Sequence, residues 1–488
     1  MSIKNGSTFL ALAVSAALLA GCAVGPDFKR PEPPAAAGYT VEHPAGDAGS
    51  GAATAAQTIV LGENLQAQWW RLFQSDALDQ VVQRALQGNR SLAAASWSLA
   101  QAQEIANARA GKLAPHVDLT SGVGRQKYGA QFLGPLAKPP PFSYFSVGAT
   151  VSYTLDYTGG VARSIEQQRA FAEYQQRQLD AAGLAVTGNT VMQALRIASL
   201  RAQITTVEAL LDRDRENLKL VQLAFDAGSV SRLDVVSANS QLASDTTQLP
   251  QLRQELSVAR HALALIMGDA PIAAMPEFDL AQIVLPPNLP VSVPSELARR
   301  RPDILAAESQ LHATTAAVGV AEANLYPRID LTASTGQQAI SFEHIFDRTS
   351  NVWSFASALV APVFDGGTLR AEKRAAADAM RASLANYEQT VLTAFGQVAD
   401  SLEALDNGAE ELQAQARAEQ SARESVDLTR QSYNEGNVGV LQVLDAERRY
   451  QQARLGYVRA QAQRYIDTVQ LFLALGGAGP GDGLPLPK

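Results

Sequence analysis

The sequence predicts an α+β protein in which long helical coiled-coil hairpins join transmembrane β-strands. Three observations carry that expectation. From Gly366 to Gly476 the chain reads as helix broken once, at Tyr433-Asn434-Glu435-Gly436-Asn437-Val438-Gly439. Four short segments alternate between apolar and polar residues. The whole pattern then occurs twice, so the chain is read as an internal duplication with four strands per protomer.

In chain order, the first element is a secretory signal, residues 1–21. Lys4 precedes an apolar run from Phe9 to Ala20 that closes on Leu19-Ala20-Gly21-Cys22. Roughly 12 apolar residues fall short of the about 20 that a spanning helix needs, and small residues at the end fit a cleavage site. Cys22 is the one cysteine, which excludes an internal disulfide. Leu-Ala-Gly-Cys resembles the bacterial lipobox. That resemblance implies acyl chains on Cys22 as the mature N-terminus, and Ala23 in place of Asp implies sorting to the outer membrane. Several acyl chains together anchor better than one. Residues 22–66 are rich in Ala, Pro and Gly (Pro26, Pro31, Pro33, Pro34, Gly46 to Gly51) and read as an extended tether with no core of its own. Trp69-Trp70-Arg71-Leu72-Phe73 opens the folded part, its aromatics expected to pack against helices.

The two copies are residues 67–268 and 295–476, with a linker at 269–294 and a tail at 477–488. Leu113-Ala114-Pro115-His116-Val117-Asp118-Leu119-Thr120 aligns with Leu325-Tyr326-Pro327-Arg328-Ile329-Asp330-Leu331-Thr332. Asp156-Tyr157-Thr158-Gly159-Gly160 resembles Phe364-Asp365-Gly366-Gly367, and Phe225-Asp226-Ala227-Gly228-Ser229-Val230 matches Tyr433-Asn434-Glu435-Gly436-Asn437-Val438. The matches are collinear, and each copy reads helix, strand, loop, strand, very long helix, tip, long helix.

Within the strands, Phe145, Val147, Ala149, Val151, Tyr153 and Leu155 alternate with Ser146, Gly148, Thr150, Ser152, Thr154 and Asp156. Val117, Leu119 and Val123 form one face of the first strand, and Ile329, Leu331 and Ala333 that of the third. Trp353, Phe355, Leu359 and Val363 do so in the fourth. About ten residues of such alternation suffice for one tilted spanning strand. The loops are expected at Arg125 to Ser143 and Gly336 to Asn351. Four strands cannot close a barrel, which starts at about eight, so the chain is expected to oligomerise and hide its sheet edges. Two copies would give a barrel filled by side chains, whereas three leave a lumen. The polar inner faces favour three.

The long helix before Gly436 carries Leu384, Val391, Val398 and Leu405 at heptad spacing. Tyr387 sits at a d-like position, and the seam drifts to Phe395 and Leu402. Roughly 70 residues at 1.5 Å each make it about 100 Å long. A globular core has no use for such a helix. A net charge of −8 argues against nucleic-acid binding. His43, His116, His261, His312 and His344 lack metal-ligand spacing, and no catalytic motif is found. Arg299-Arg300-Arg301 before Pro302-Asp303 reads as a helix junction.

Duplicated strand pairs, very long helices and a lipobox together resemble the TolC family of outer-membrane efflux proteins, in particular its OprM- and NodT-type lipoproteins. Trp69-Trp70 with Phe73, the run from Pro294 to Ile304 through Arg299-Arg300-Arg301-Pro302-Asp303, and Phe364-Asp365-Gly366-Gly367 carry the resemblance. It implies a homotrimeric conduit: a β-barrel in the outer membrane, an α-helical coiled-coil barrel in the periplasm, and the 269–294 linker in the equatorial region. A periplasmic adaptor would join its tips to an inner-membrane pump, usually of the resistance-nodulation-division class. Drugs or other small amphiphiles would leave through it without chemistry and without a cofactor. Gly228, Val230, Leu233 and Val235, with Gly436, Val438, Leu441 and Val443, resemble the adaptor-docking tips. Asp427 resembles an acidic ring that narrows the periplasmic mouth, with Arg430 placed to pair with it at i, i+3. Two other readings stand beside this one: an exit duct for type I protein secretion, and a non-conducting coiled-coil spacer.

Overall fold

The computed structural model describes residues 23–32, 38–39, 57–128, 140–273 and 275–477. Cys22, the signal and most of the tether and tail lie outside the described residues. Contacts divide the chain into two compact units, each built from three stretches of sequence.

The first unit (Met1–Pro31, Leu99–Gln175 and Ala307–Tyr387) holds a four-stranded antiparallel sheet. After a short strand β1 (Thr58–Leu61), β2 (His116–Gln126) and β3 (Phe142–Leu155) form one hairpin. After β4 (Asn288–Val291), β5 (Arg328–Ala339) and β6 (Asn351–Val360) form the other. The order β2-β3-β5-β6 joins the hairpins along β3 and β5. Register carries the alternation across all four strands: Val117 faces Val151, Val151 faces Ala333, and Ala333 faces Phe355. The next row runs Asp118, Thr150, Ser334, Ser354, with the two serine hydroxyls 2.8 Å apart. One face is thus apolar and the other polar. A one-residue slip would invert every row. The outer edges of β2 and β6 are unpaired among the described residues, and Leu119, Val123, Trp353 and Phe355 are exposed.

Two strand ends differ from expectation. β5 runs on to Ala339, where consecutive polar Gln337 and Gln338 hid the alternation. β6 stops at Val360 and leaves Val363 outside, since Pro362 has no N–H to continue a ladder.

The first stretch of the tether is docked rather than free. Val24 N–H donates to the Thr158 carbonyl at 3.0 Å, and Arg163 binds Asp27 at 2.5 Å. Phe28 stacks on His312 at 4.4 Å, His312 meets Glu166 at 3.0 Å, and Arg30 meets Glu308 at 2.7 Å. The described residues of this stretch thus pack on the first unit, and further along the expected tether β1 pairs in parallel with β4 and Leu65 is buried.

The helices α1 (Asp76–Gly88) and α2 (Arg90–Ala110) precede the first hairpin. The long helix α3 (Gly160–Asp226) follows it and returns as α4 (Arg232–Thr246) and α5 (Gln248–Ile266). Then come α6 (Pro294–Arg300), α7 (Pro302–Ala323), the long α8 (Thr368–Asn434) and its return α9 (Val440–Ala474). Both long helices have 67 residues. Each begins on an aspartate: Asp156 accepts from the N–H groups of Val161 and Ala162, and Asp365 from those of Gly367 and Leu369. The first return is broken at Thr247, unlike the single helix expected. Pro250 lies in the first turn of α5, the place in a helix where its missing N–H costs nothing.

The second unit (Glu32–Ser98, Gln176–Ala306 and Glu388–Lys488) carries the aromatic core. Trp69, Trp70 and Phe73 are buried, as expected, in a single-turn helix. Phe472 lies 5.5 Å from Trp69 and Tyr465 lies 6.4 Å from Phe73, ring centre to ring centre. Trp70 donates its indole N–H to Asp79 at 2.8 Å, and Tyr465 its hydroxyl to the Ile283 carbonyl at 2.9 Å. On α8, Val391, Val398, Leu402 and Leu405 are buried, whereas Phe395 is only half-buried. Leu384, in the first unit, is exposed. Arg301 is the helix junction read from the arginine run: buried between α6 and α7, it donates to the Ala474 carbonyl at 2.8 Å and binds Asp303 and Gln397.

Candidate functional site

Both hairpin tips end their long helix in the same way. Gly228 takes φ +75° and Gly436 φ +78°, a left-handed conformation that glycine adopts without strain. Gly228 N–H donates to Phe225 O and Ser229 N–H to Ala224 O; Gly436 donates to Tyr433 O and Asn437 to Ser432 O. This paired cap turns the last carbonyls of α3 and α8 to use. A Cβ at either glycine would meet nothing within 4 Å, so backbone strain alone selects glycine there. The tips differ as they restart. Ser231 and Asp234 form a reciprocal capping box at α4, while Gly439 caps α9 without a side chain.

The eight tip residues separate by exposure. Gly228 and Gly436 are exposed, and Val230, Val438 and Val235 are half-buried. Leu233 is 68% exposed and Leu441 44%, which leaves them as the apolar contacts a partner could reach. Val443 is 7% exposed and packs inside the hairpin, so it cannot dock anything directly. Residues two apart on a helix lie about 200° around its axis, so Leu441 and Val443 cannot share a face. Sequence reasoning missed Val236 and Leu223, both exposed beside the first tip. With Leu218, Val235 and Leu242 they line an apolar groove of about 630 Å³ flanked by Arg215 and Lys219. The adjacent pair Val235-Val236 was the available signal, since one of two neighbours on a short helix must face outward.

Asp427 is exposed on α8, one turn before Arg430. The expected pairing between them is not formed. Arg430 instead reaches Glu447 on α9. The reason is burial: Glu447 is only 4% exposed, and a buried carboxylate without a cation is far costlier than an exposed one. Among the described residues no cluster of His, Cys, Asp or Glu could hold a metal ion, and no helix is long and apolar enough to cross a membrane.

Known proteins place this architecture. The outer membrane efflux protein family profile matches residues 81–269 and again residues 293–477. The chain belongs to the outer membrane efflux protein family. The pyoverdine export outer membrane protein OpmQ of Pseudomonas aeruginosa is 32% identical over 426 residues, 85% of this chain and 88% of that one. Outer membrane protein OprJ of the same species is 31% identical, with 96% of each chain covered. The solved structure of the outer-membrane channel OprN superposes with a TM-score of 0.83 at 28% identity, covering 94% of this chain and 99% of that chain. The resemblance stated from the residues is therefore upheld, and outer-membrane efflux is the function of the family to which this chain belongs.

Proposed function

We propose that this protein is the outer-membrane channel of a tripartite efflux system, a homotrimer acting as a passive exit duct. The observation that carries the reading is the open-edged sheet. Four strands with one apolar face and, among the described residues, two unpaired edges call for further strands, and three such sheets make a barrel wide enough to keep its polar face wet. The double match of the family profile supports a duplicated chain, two halves of 67–268 and 295–476. Acyl chains on Cys22, after removal of residues 1–21, anchor the same protomer to outer-membrane lipid. A periplasmic adaptor docks at Leu233 and Leu441, and an inner-membrane pump of the resistance-nodulation-division class delivers cargo to it. Relatives named for pyoverdine export and toluene efflux support a small-molecule cargo over a polypeptide one. The duct itself performs no reaction.

Docking is tested with Leu233→Asp and Leu441→Asp together, in a host lacking its own channel. A carboxylate forced into an apolar contact is stripped of water with no partner to replace it, so drug resistance is lost while the amount of protein in the outer membrane is unchanged. Full resistance with the double variant would rule the tips out as the docking surface. Asp427 has no ion-pair partner in its own chain among the described residues, and three copies around an axis would form an acidic ring. In planar bilayers Asp427→Ala gives larger openings that divalent cations no longer reduce. Equal conductance in both proteins would make it an ordinary surface residue.

A further inference from the structure

The loop between β5 and β6 holds three large apolar side chains out into the open: Ile340 is 73% exposed, Phe342 69% and Phe346 78%. The loop is nonetheless well built. Two single-turn helices, Phe342–His344 and Arg348–Ser350, follow one another in it. Ile345 N–H donates to the Phe342 carbonyl at 3.3 Å and Ser350 N–H to that of Asp347 at 2.9 Å. The Ser350 hydroxyl donates to the His344 carbonyl at 2.6 Å, and Ile345 and Ser350 are buried. Three large apolar side chains displayed by so short and well-bonded a segment mark a contact with something apolar.

Phe342 shows which side of the sheet the loop takes. Its ring meets that of Phe145 edge to face, with 5.8 Å between centres. Phe145 pairs with Ala339 near the end of β3 that lies away from the helices, and its side chain belongs to the apolar face. The loop therefore leans over that face. Its level follows from the strand. The apolar row of β3 runs from Leu155 to Phe145, about ten residues at about 3.3 Å each. At a tilt of about 40° those residues climb about 25 Å, the height of the apolar band on an outer-membrane barrel. Phe145 and Phe342 thus stand at the far rim of that band.

We propose that the β5–β6 loop is a membrane-contacting element, which dips Ile340, Phe342 and Phe346 into lipid acyl chains at the outer rim of the barrel. This rests on the barrel reading given above. Continuity of the surface names lipid as the occupant. Trp353 and Phe355 are exposed on β6, in the rows that pass through Ala149 and Val151, so the loop extends an apolar face already laid out along the strands. Glu343, Asp347 and Arg348 are exposed too, and charges of that kind keep the loop from sinking whole into hydrocarbon. It lies at headgroup depth, with apolar side chains inward and charge in water. A loop that closed the lumen would have to lean the other way, over the row of Asp118, Thr150, Ser334 and Ser354.

The test places nitroxide labels on introduced cysteines in the full-length protein, reconstituted in vesicles of phosphatidylethanolamine and phosphatidylglycerol. Collisions with oxygen, which gathers in hydrocarbon, are compared with collisions with a water-soluble nickel chelate. The unsubstituted protein, treated in parallel, gives any signal from Cys22. Labels at Phe346→Cys and Ile340→Cys meet oxygen several-fold more than nickel, as does the label at Val151→Cys on the apolar face. Ser334→Cys, on the polar face, shows the reverse. Nickel access at both loop positions equal to that at Ser334→Cys would overturn the proposal, because the loop would then stand in water. Protection from both reagents would overturn it as well, since a neighbouring copy and not lipid would cover the patch. Nickel at the loop with oxygen at Val151→Cys sinks the loop proposal and leaves the barrel standing. Nickel at Val151→Cys itself would bring down the barrel reading and the loop proposal together.

Discussion

Phe73→Ala lowers the stability of the protein by about 3–5 kcal/mol, the usual cost of emptying a buried aromatic site. Phe73 is wholly buried, with Trp69, Tyr465 and Phe472 all within 6.5 Å of its ring centre. Transfer of the ring from water contributes about 1.5–3 kcal/mol of this, and the lost ring contacts and the cavity left behind make up the rest. That cavity cannot collapse easily. Tyr465 is tied to the Ile283 carbonyl, and Trp69 packs on Trp70, itself tied to Asp79. Loss of helical circular dichroism on heating reads the effect as a melting point lowered by many degrees. Phe73→Leu, which keeps most of the volume, costs less than about 1.5 kcal/mol. Phe346→Ala, at a ring 78% exposed, leaves the melting point unchanged. An equal fall for Phe346→Ala would mean that size and not burial sets the loss, and the aromatic core would not be where the unit is held together.

The sequence was most legible where a physical period was strict. Alternation located all four strands and the face each presents, because a pleated strand has only two faces. Heptad spacing located the α8 seam but placed Leu384 and Phe395 in it too readily. Leu384 is exposed and Phe395 half-buried, since heptad spacing fixes the side of a helix on which a residue lies and not whether another element covers it there. Partnership was less legible than position. Arg430 has Asp427 on its own helix at a favourable spacing, yet goes to Glu447, whose burial is a property of another helix and appears in no local pattern. The tether shows the same limit. Its Pro, Ala and Gly content gave no sign of docking, because the residues that anchor it, Asp27, Phe28 and Arg30, find partners more than 130 positions away. The tips show a third case: Leu441 and Val443 both fall in the stretch that resembles a docking tip, and a helix sends residues two apart to opposite sides.

Gly336→Val breaks the sheet between its two hairpins and, with it, the channel. Gly336 on β5 faces Gly148 on β3, at the pairing that joins the first hairpin to the second. A Cβ on Gly336 would lie 2.5 Å from the Val147 carbonyl oxygen and 2.7 Å from the Gly148 Cα, and one on Gly148 would lie 2.7 Å from the Thr335 oxygen. These obstacles are backbone atoms inside a hydrogen-bonded ladder, so no rotamer change relieves them. The strands must part, at a cost of about 1–3 kcal/mol for the overpacking alone and about 1 kcal/mol more for each ladder bond opened. Gly124 makes the useful contrast. A Cβ there would also come as close as 2.5 Å, but to the ring of Tyr144, a side chain that can swing aside. Gly124→Ala is therefore tolerated where Gly336→Val is not. The measurement is the amount of the proposed trimer that survives mild heating on a gel, together with drug susceptibility of the complemented host. Gly336→Val leaves little oligomer and a susceptible host, while Gly124→Ala resembles wild type. Full oligomer with Gly336→Val would mean that β3 and β5 need not touch there. The proposed barrel would then have to close through the outer edges of β2 and β6 alone, which four strands in two separate pairs cannot hold in register.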